Sequence, residues 1–139
     1  MRLATGLLMG LPAIALCGCG SDRVPTYPVA GRVEFADGEP VRVGTIELES
    51  RDFGTAATGT IQDDGSFVLG TYTATDGAAA GSHRAIVVQI VIDDGSVTHA
   101  TDHGRPVPQK FGSYDTSDLL VEIEPIDEND LTITLPVDE

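Results

Sequence analysis

Two histidines stand at a spacing that can bind a metal ion. His99 and His103 are four residues apart in the sequence His-Ala-Thr-Asp-His, which on a helix would put both rings on one face. The surrounding residues lack the periodicity of a helix, and no glutamate follows the first histidine as it does in zinc hydrolases. A solvated loop therefore explains the pair better than a metal site.

The tetrapeptide Asp-Asp-Gly-Ser occurs at residues 63–66 and again at 93–96. Carboxylates in such turns could bind calcium, which prefers oxygen ligands. Neither copy continues to the glutamate that completes a calcium loop, whereas Asp, Gly and Ser are the residues expected in a tight turn between strands. We interpret both copies, and the acidic stretch 127–130, as solvated turns, and we predict no bound metal and no cofactor.

The sequence contains no recognisable catalytic motif. No Gly-x-Ser-x-Gly stretch is present to hold a nucleophilic serine at a strand-to-helix turn. His83 stands at the start of an apolar segment, where a packing or turn role is the simplest interpretation. We therefore predict no catalytic residue and a protein that is not an enzyme.

Four side chains of the segment 97–118 could instead recognise a partner. They are Arg105, Lys110, Phe111 and Tyr114, which combine positive charge with aromatic surface, a common pairing in recognition sites. The competing interpretation is that Phe111 and Tyr114 hold a long loop against the domain. A segment of this length without regular alternation is either functional or poorly ordered.

The overall charge limits the classes of partner. The chain has 139 residues, with 8 Lys and Arg against 22 Asp and Glu, which gives a net charge of −14. Nucleic acid is excluded as a partner, because its binding requires clustered basic residues that displace counterions. Both cysteines lie near the N-terminus, so the rest of the chain has neither a disulfide framework nor a cysteine-based zinc site.

The N-terminus has the features of a secretion signal. Arg2 is the only charged residue before Asp22, and residues 7–16 form an apolar run that is too short to span a bilayer as a helix. The alternative is a buried N-terminal helix, which Gly10 and Pro12 would weaken. We predict a signal peptide at residues 1–18.

The apolar run ends in Leu16-Cys-Gly-Cys19, which resembles the lipobox of bacterial lipoproteins. The resemblance implies cleavage after Gly18 and a diacylglyceryl thioether on Cys19; Cys17 is the weaker candidate, because Leu16 would then precede the cut. The lipid would tether the protein to a membrane of the bacterial cell envelope. Since Gly20-Ser21 lacks the early aspartate that retains some lipoproteins at the inner membrane, the outer membrane or cell surface is the expected location.

The elements that must position these side chains are strands. Beyond a polar tether at residues 19–26, apolar residues recur with a period of two, which is typical of half-buried strands. About seven short strands separated by turn signals favour an all-β, antiparallel sandwich. The residues expected in its core are Phe35, Ile46, Leu48, Phe67, Leu69, Ile86, Val88, Ile90, Val121, Ile123, Ile133 and Leu135.

Several segments resemble a carboxypeptidase regulatory-like domain, a transthyretin-like or Ig-like β-sandwich of small envelope lipoproteins. These segments are Val29-Ala-Gly-Arg-Val33, Gly38-Glu-Pro40, Thr58-Gly-Thr60 leading into Asp63-Asp-Gly-Ser-Phe67, residues 77–88, and Pro108-Gln-Lys-Phe111 with Thr116-Ser-Asp-Leu119. The resemblance implies one such domain over residues 27–139 and transfers no catalytic residue.

Two function classes follow from the sequence. The first is a lipid-anchored envelope protein whose non-catalytic sandwich binds a protein or glycan, or has a structural role. The alternative is a metal-dependent (calcium) carbohydrate binder or a hydrolase that uses the 97–118 loop.

Overall fold

The computed structural model describes residues 20, 22–89 and 103–137 of the chain. These residues form the predicted all-β sandwich, with nine strands and one short 3-10 helix at Gln109–Gly112. The strands are β1 (Thr26–Tyr27), β2 (Val29–Phe35), β3 (Gly44–Ser50), β4 (Ala56–Ile61), β5 (Ser66–Val68), β6 (Ala78–Ala79), β7 (Gly81–Val88), β8 (Leu120–Ile123) and β9 (Asn129–Leu135).

Two sheets enclose the core. One has four antiparallel strands in the order β4-β3-β7-β8, and the other has three strands in the order β5-β2-β9. A short β1–β6 ribbon lies beside them. Eight of the predicted core residues are buried between the sheets, namely Phe35, Ile46, Leu48, Phe67, Leu69, Ile123, Ile133 and Leu135.

Strand β7 faces the core with the alternate set of residues to the one that the sequence analysis predicts. His83, Ala85 and Val87 are buried, whereas Ile86 and Val88 are only partly buried. The register with β3 is the cause, because Val87 lies opposite the buried Ile46 and cross-strand partners point to the same face. When a strand is apolar on both faces, its sequence pattern does not show which face is buried. Val121 is also only partly buried, and Ile90 lies outside the described residues.

One strand pair runs parallel, which the alternation pattern does not reveal. β9 pairs with β2 in parallel over its whole length, from Val29–Asn129 to Phe35–Leu135. The loop 124–128 carries the chain from the four-stranded sheet to the three-stranded one. Asn129 secures this crossing, since its side chain bonds to the backbone N–H and C=O of Glu124 and to the carbonyl of Pro28.

The turn predicted at residues 63–66 forms, but the two strands that it connects pair with different partners. Gly65 adopts a φ of +84°, and Asp64 accepts the backbone N–H of Ser66 at 3.0 Å, as expected of a turn aspartate. β4 pairs with β3, whereas β5 pairs with β2. A bridge between Thr58 and Gly70 joins the two arms further on.

The domain begins at Thr26, the last residue of the predicted tether, which pairs with Ala79. The Ala-rich stretch after Thr75 contains the buried strand β6. Cys19 and the predicted signal peptide lie outside the described residues. The described ranges contain no apolar helix of membrane-spanning length.

Candidate functional site

The described part of the 97–118 loop, residues 103–118, belongs to a segment, residues 103–119, that wraps the edge of β7. β8 pairs with β7 only as far as Arg84. Beyond that point the segment takes over the strand edge: Ala85 donates its N–H to the carbonyl of Leu119 at 3.0 Å, and Ser117 donates its hydroxyl to the carbonyl of Ala85 at 2.6 Å. We call residues 103–119 the wrapping segment.

Phe111 of the wrapping segment belongs to the core. The 3-10 helix Gln109–Gly112 inserts its ring into the hydrophobic cluster, where it is 0% exposed. The hypothesis that Phe111 contacts a ligand is therefore corrected: burial of a large aromatic side chain stabilises the domain, but leaves no surface for recognition. Neighbouring Lys110 places its ammonium 4.6 Å from the centroid of this ring and 3.8 Å from an oxygen of Asp118.

Tyr114 lies on the outer face of the four-stranded sheet. Its hydroxyl donates to Glu47 Oε1 at 2.9 Å. The guanidinium of Arg84 is 5.0 Å from the ring centroid and forms an ion pair with Glu49 at 2.8 Å. Partial burial and the hydrogen bond to Glu47 raise the pKa of Tyr114 far above its usual value. These contacts hold the wrapping segment against the sheet, as in the competing interpretation of Tyr114.

Arg105 lies at a different place, beside the turn between β2 and β3. It forms ion pairs with Asp37 at 2.7 Å and with Glu39 at 2.9 Å, and its guanidinium is 4.7 Å from the ring centroid of Phe35. The hydrogen bond from Arg105 holds the pKa of Asp37 below its usual value. Arg105 and Tyr114 thus contact different elements, and the structure does not bring the four predicted residues into one recognition patch.

Gln89 fixes the start of the wrapping segment, a role that the sequence analysis missed. Its amide nitrogen donates to the carbonyls of Arg42 at 2.6 Å and His103 at 2.9 Å, and its Oε1 accepts the N–H of Val107 at 3.1 Å. The signal in the sequence was a single polar residue within the apolar run Ile86-Val-Val-Gln-Ile90. Val43, which follows Arg42 in the chain, has a φ of +53°, a conformation that β-branched residues rarely adopt.

The metal-binding candidates do not assemble within the part of the chain that the structure describes. No group of three His, Cys, Asp or Glu side chains is placed to hold a metal ion there. His83 is buried and its Nδ1 lies 3.0 Å from the carbonyl oxygen of Gly81, in a packing role. The hydrogen bonds from Ser66 lower the pKa of Asp64, which supports the turn interpretation of 63–66. His99 and the second Asp-Asp-Gly-Ser copy lie outside the described residues.

An open trough of about 780 Å³ crosses the outer surface of β2, β5 and β4. Its lining is small and mostly uncharged, with Asp130 at one edge and a half-exposed Val68. The remaining lining residues are Ala30, Gly31, Thr45, Thr58, Gly59, Thr60, Gln62, Ser66, Phe67 and Ala74. The trough offers hydroxyl and amide groups for hydrogen bonding.

Comparison with known proteins yields no match to a protein-family model, a curated protein or a solved structure. The function is therefore inferred from the chain's own residues and geometry.

Proposed function

We propose that this chain is a lipid-anchored protein of the bacterial cell envelope whose β-sandwich is a non-catalytic binding or structural module. The observation that carries the proposal is the engagement of the wrapping segment. Phe111, Tyr114 and Arg105, three of its four candidate recognition residues, are engaged in contacts with the sandwich. These contacts stabilise the sandwich, which supports a structural role for the segment.

A lipid anchor on Cys19 would be only a short distance along the chain from the first strand. Only the six residues 20–25 separate Cys19 from Thr26. Fully extended, this length spans about 25 Å, so a diacylglyceryl group on Cys19 would hold the domain close to the bilayer. A diacyl anchor is also far stronger than any contact that this acidic surface could make with a membrane.

The resemblance to a carboxypeptidase regulatory-like domain is part of the proposal. It is supported by the turn chemistry of the segments that carry it, because Gly38, Gly65 and Gly77 all adopt positive φ. Such domains accompany other functions without supplying catalysis, which agrees with a binding or structural role.

The anchor is tested by Cys19→Ala in the full chain expressed in a bacterium that lipidates its own proteins. The Cys19→Ala variant should leave the membrane fraction and take up no labelled fatty acid. The matched control, Cys17→Ala, should stay in the membrane fraction and take up the label, like the wild type. A Cys19→Ala protein that sediments with membranes like the wild type, together with a wild type that takes up no label, would contradict the anchor.

The role of the sandwich is tested by capture of envelope proteins and glycans, with and without calcium, comparing the wild type with Tyr114→Ala. If Tyr114 only holds the wrapping segment, the variant melts at a lower temperature but captures the same partners. Lost capture at unchanged stability would instead make Tyr114 a recognition residue. Hydrolytic turnover that disappears on mutation of His99 or His103 would contradict the non-catalytic assignment.

A further inference from the structure

The loops at one end of the sandwich surround the point where the chain enters the domain. β1 begins at Thr26 and pairs with β6. At the same end, the first residue of β7, Gly81, lies opposite the last residue of β8, Ile123, and the last residue of β3, Ser50, lies opposite His83. The loops 51–55, 69–77 and 124–128 therefore project from this end, which we call the tether end.

Each of these loops exposes a large apolar side chain. Phe53 is 54% exposed, Tyr72 37% and Ile126 46%. Among the described residues, three other large apolar side chains are comparably exposed, namely Val68, Leu120 and Val137. Val68 lies beside the tether end, where it pairs with Ala30, whereas Leu120 is on β8 and Val137 follows Leu135 at the opposite end. Single exposed apolar residues are normal on protein surfaces, but one on each of three loops at the same end suggests a common contact.

The tether itself lies against one of these loops. The guanidinium of Arg23 is 5.1 Å from the ring centroid of Tyr72, so the chain passes beside loop 69–77 on its way towards Cys19. The loop is rigidly built, because Asp76 accepts the backbone N–H groups of Thr71 and Tyr72 at 2.7 to 3.2 Å. The exposed ring of Tyr72 is thus presented on an ordered loop beside Arg23, which is four residues from Cys19 in the sequence.

We propose that the tether end rests on the lipid bilayer, with Phe53, Tyr72 and Ile126 entering its interfacial region. This inference rests on the proposed lipid anchor at Cys19, which supplies the affinity and raises the local concentration of the loops at the surface. The three side chains then set the orientation of the domain, since aromatic residues favour the interface, where the ring is buried and the polar tip stays wet. The opposite end would remain available to partners.

The charge at the tether end determines how closely it can approach bilayers of different charge. Exposed carboxylates adjoin the apolar tips and outnumber the cations there. The carboxylates are Asp22, Asp52, Glu124, Asp127 and Glu128, and the cations are Arg23 and Arg51. Contact with a zwitterionic bilayer should therefore be closer than contact with an anionic one at low salt, where repulsion extends about 30 Å at 0.01 M and about 10 Å at 0.1 M.

The chain allows a direct test, because cleavage after Gly18 would leave Cys19 as the only cysteine of the mature protein, with its sulfur blocked by the diacylglyceryl thioether. Phe53→Cys can then be labelled with a polarity-sensitive fluorophore in the lipidated full chain. Val137→Cys is the matched control, since Val137 is 38% exposed and follows Leu135 at the opposite end. Both proteins are reconstituted into phosphatidylcholine vesicles and separated by flotation.

The emission of the label at position 53 should shift to the blue on vesicles, while the label at position 137 should not shift. Adding phosphatidylglycerol at low salt should reduce the shift, and raising the salt should restore it. Three results with floating protein would overturn the orientation alone. They are no shift at position 53, equal shifts at both positions, and a shift that occurs only after a protein extract is added. Protein that does not float would overturn the anchor and the orientation with it.

Discussion

At the scale of single residues, Gly77 is placed where a side chain cannot fit. Its φ is +82°, and a Cβ there would meet the carbonyl of Tyr27, in the chain that leads from β1 to β2. Gly38 has a similar φ of +88°, but a Cβ would have nothing within 4 Å. Substituting each of the two glycines therefore distinguishes the loss of stability caused by the backbone conformation from the loss caused by a steric clash.

We expect Gly77→Ala to destabilise the domain by more than about 2 kcal/mol, because it adds overpacking of about 1–3 kcal/mol to the strain of a positive φ. Gly38→Ala should cost about 1 kcal/mol, since only the strain applies. Urea denaturation of both variants measures the difference. Equal losses of stability would show that the contact with Tyr27 relaxes freely.

Asp76 should make stability depend on pH. Burial opposes its ionisation, but hydrogen bonds from the backbone N–H groups of Thr71, Thr73 and Tyr72 outweigh burial and hold its pKa below the usual value. A carboxyl with a lowered pKa stabilises the fold above its unfolded pKa of about 3.9 and loses that contribution as the pH falls through the folded value.

Asp76→Asn should therefore lower the free energy of unfolding by about 1 kcal/mol at pH 7, since hydrogen bonds to a charged acceptor are stronger than those to a neutral one. The difference between variant and wild type should shrink as the pH falls below about 4. Denaturant unfolding at a series of pH values measures this. A difference that stays constant down to the acid range would exclude the charge of Asp76 as its cause.

At the scale of elements, the orientation of β7 decides which of its residues tolerate charge. Val87 is 1% exposed and faces the core beside Ile46, whereas Val88 is partly exposed on the other face. A carboxylate buried without a partner costs several kcal/mol, a large part of the about 5–15 kcal/mol of a typical domain.

Val87→Asp should leave the domain largely unfolded, and Val88→Asp should reduce its stability much less. Far-UV circular dichroism and thermal melting distinguish the two variants. A folded Val87→Asp protein beside an unfolded Val88→Asp protein would restore the strand orientation that the sequence alone suggested.

At the scale of the whole molecule, the net charge of −14 works against compactness. Like charges on a folded chain repel one another, and salt screens that repulsion. Ion pairs among the described residues, such as Arg84–Glu49 and Arg105–Asp37, lie at the surface and contribute little.

The melting temperature should therefore rise as sodium chloride is increased from about 0.01 to 0.15 M, over which the screening length falls from about 30 to 8 Å. Differential scanning calorimetry at constant pH measures this. A fall in the melting temperature over the same range would mean that the ion pairs outweigh the general repulsion.

The sequence by itself determined the class of fold and most of its strands. Alternation at Ile46–Leu48 and Ile133–Leu135 identified which residues are buried, because a strand with one wet face shows its inner side as every second residue. The turn at Asp64–Gly65 was equally readable, since positive φ and local hydrogen bonding depend on residues adjacent in the chain.

Only the tertiary structure decided matters that depend on residues far apart in the sequence. The inward face of β7 follows from its register with β3, and the parallel pairing of β9 with β2 follows from the crossing between sheets that Asn129 secures. The burial of Phe111 depends on a free strand edge beyond Arg84. Local patterns record which residues avoid water, but they do not record which distant element covers them.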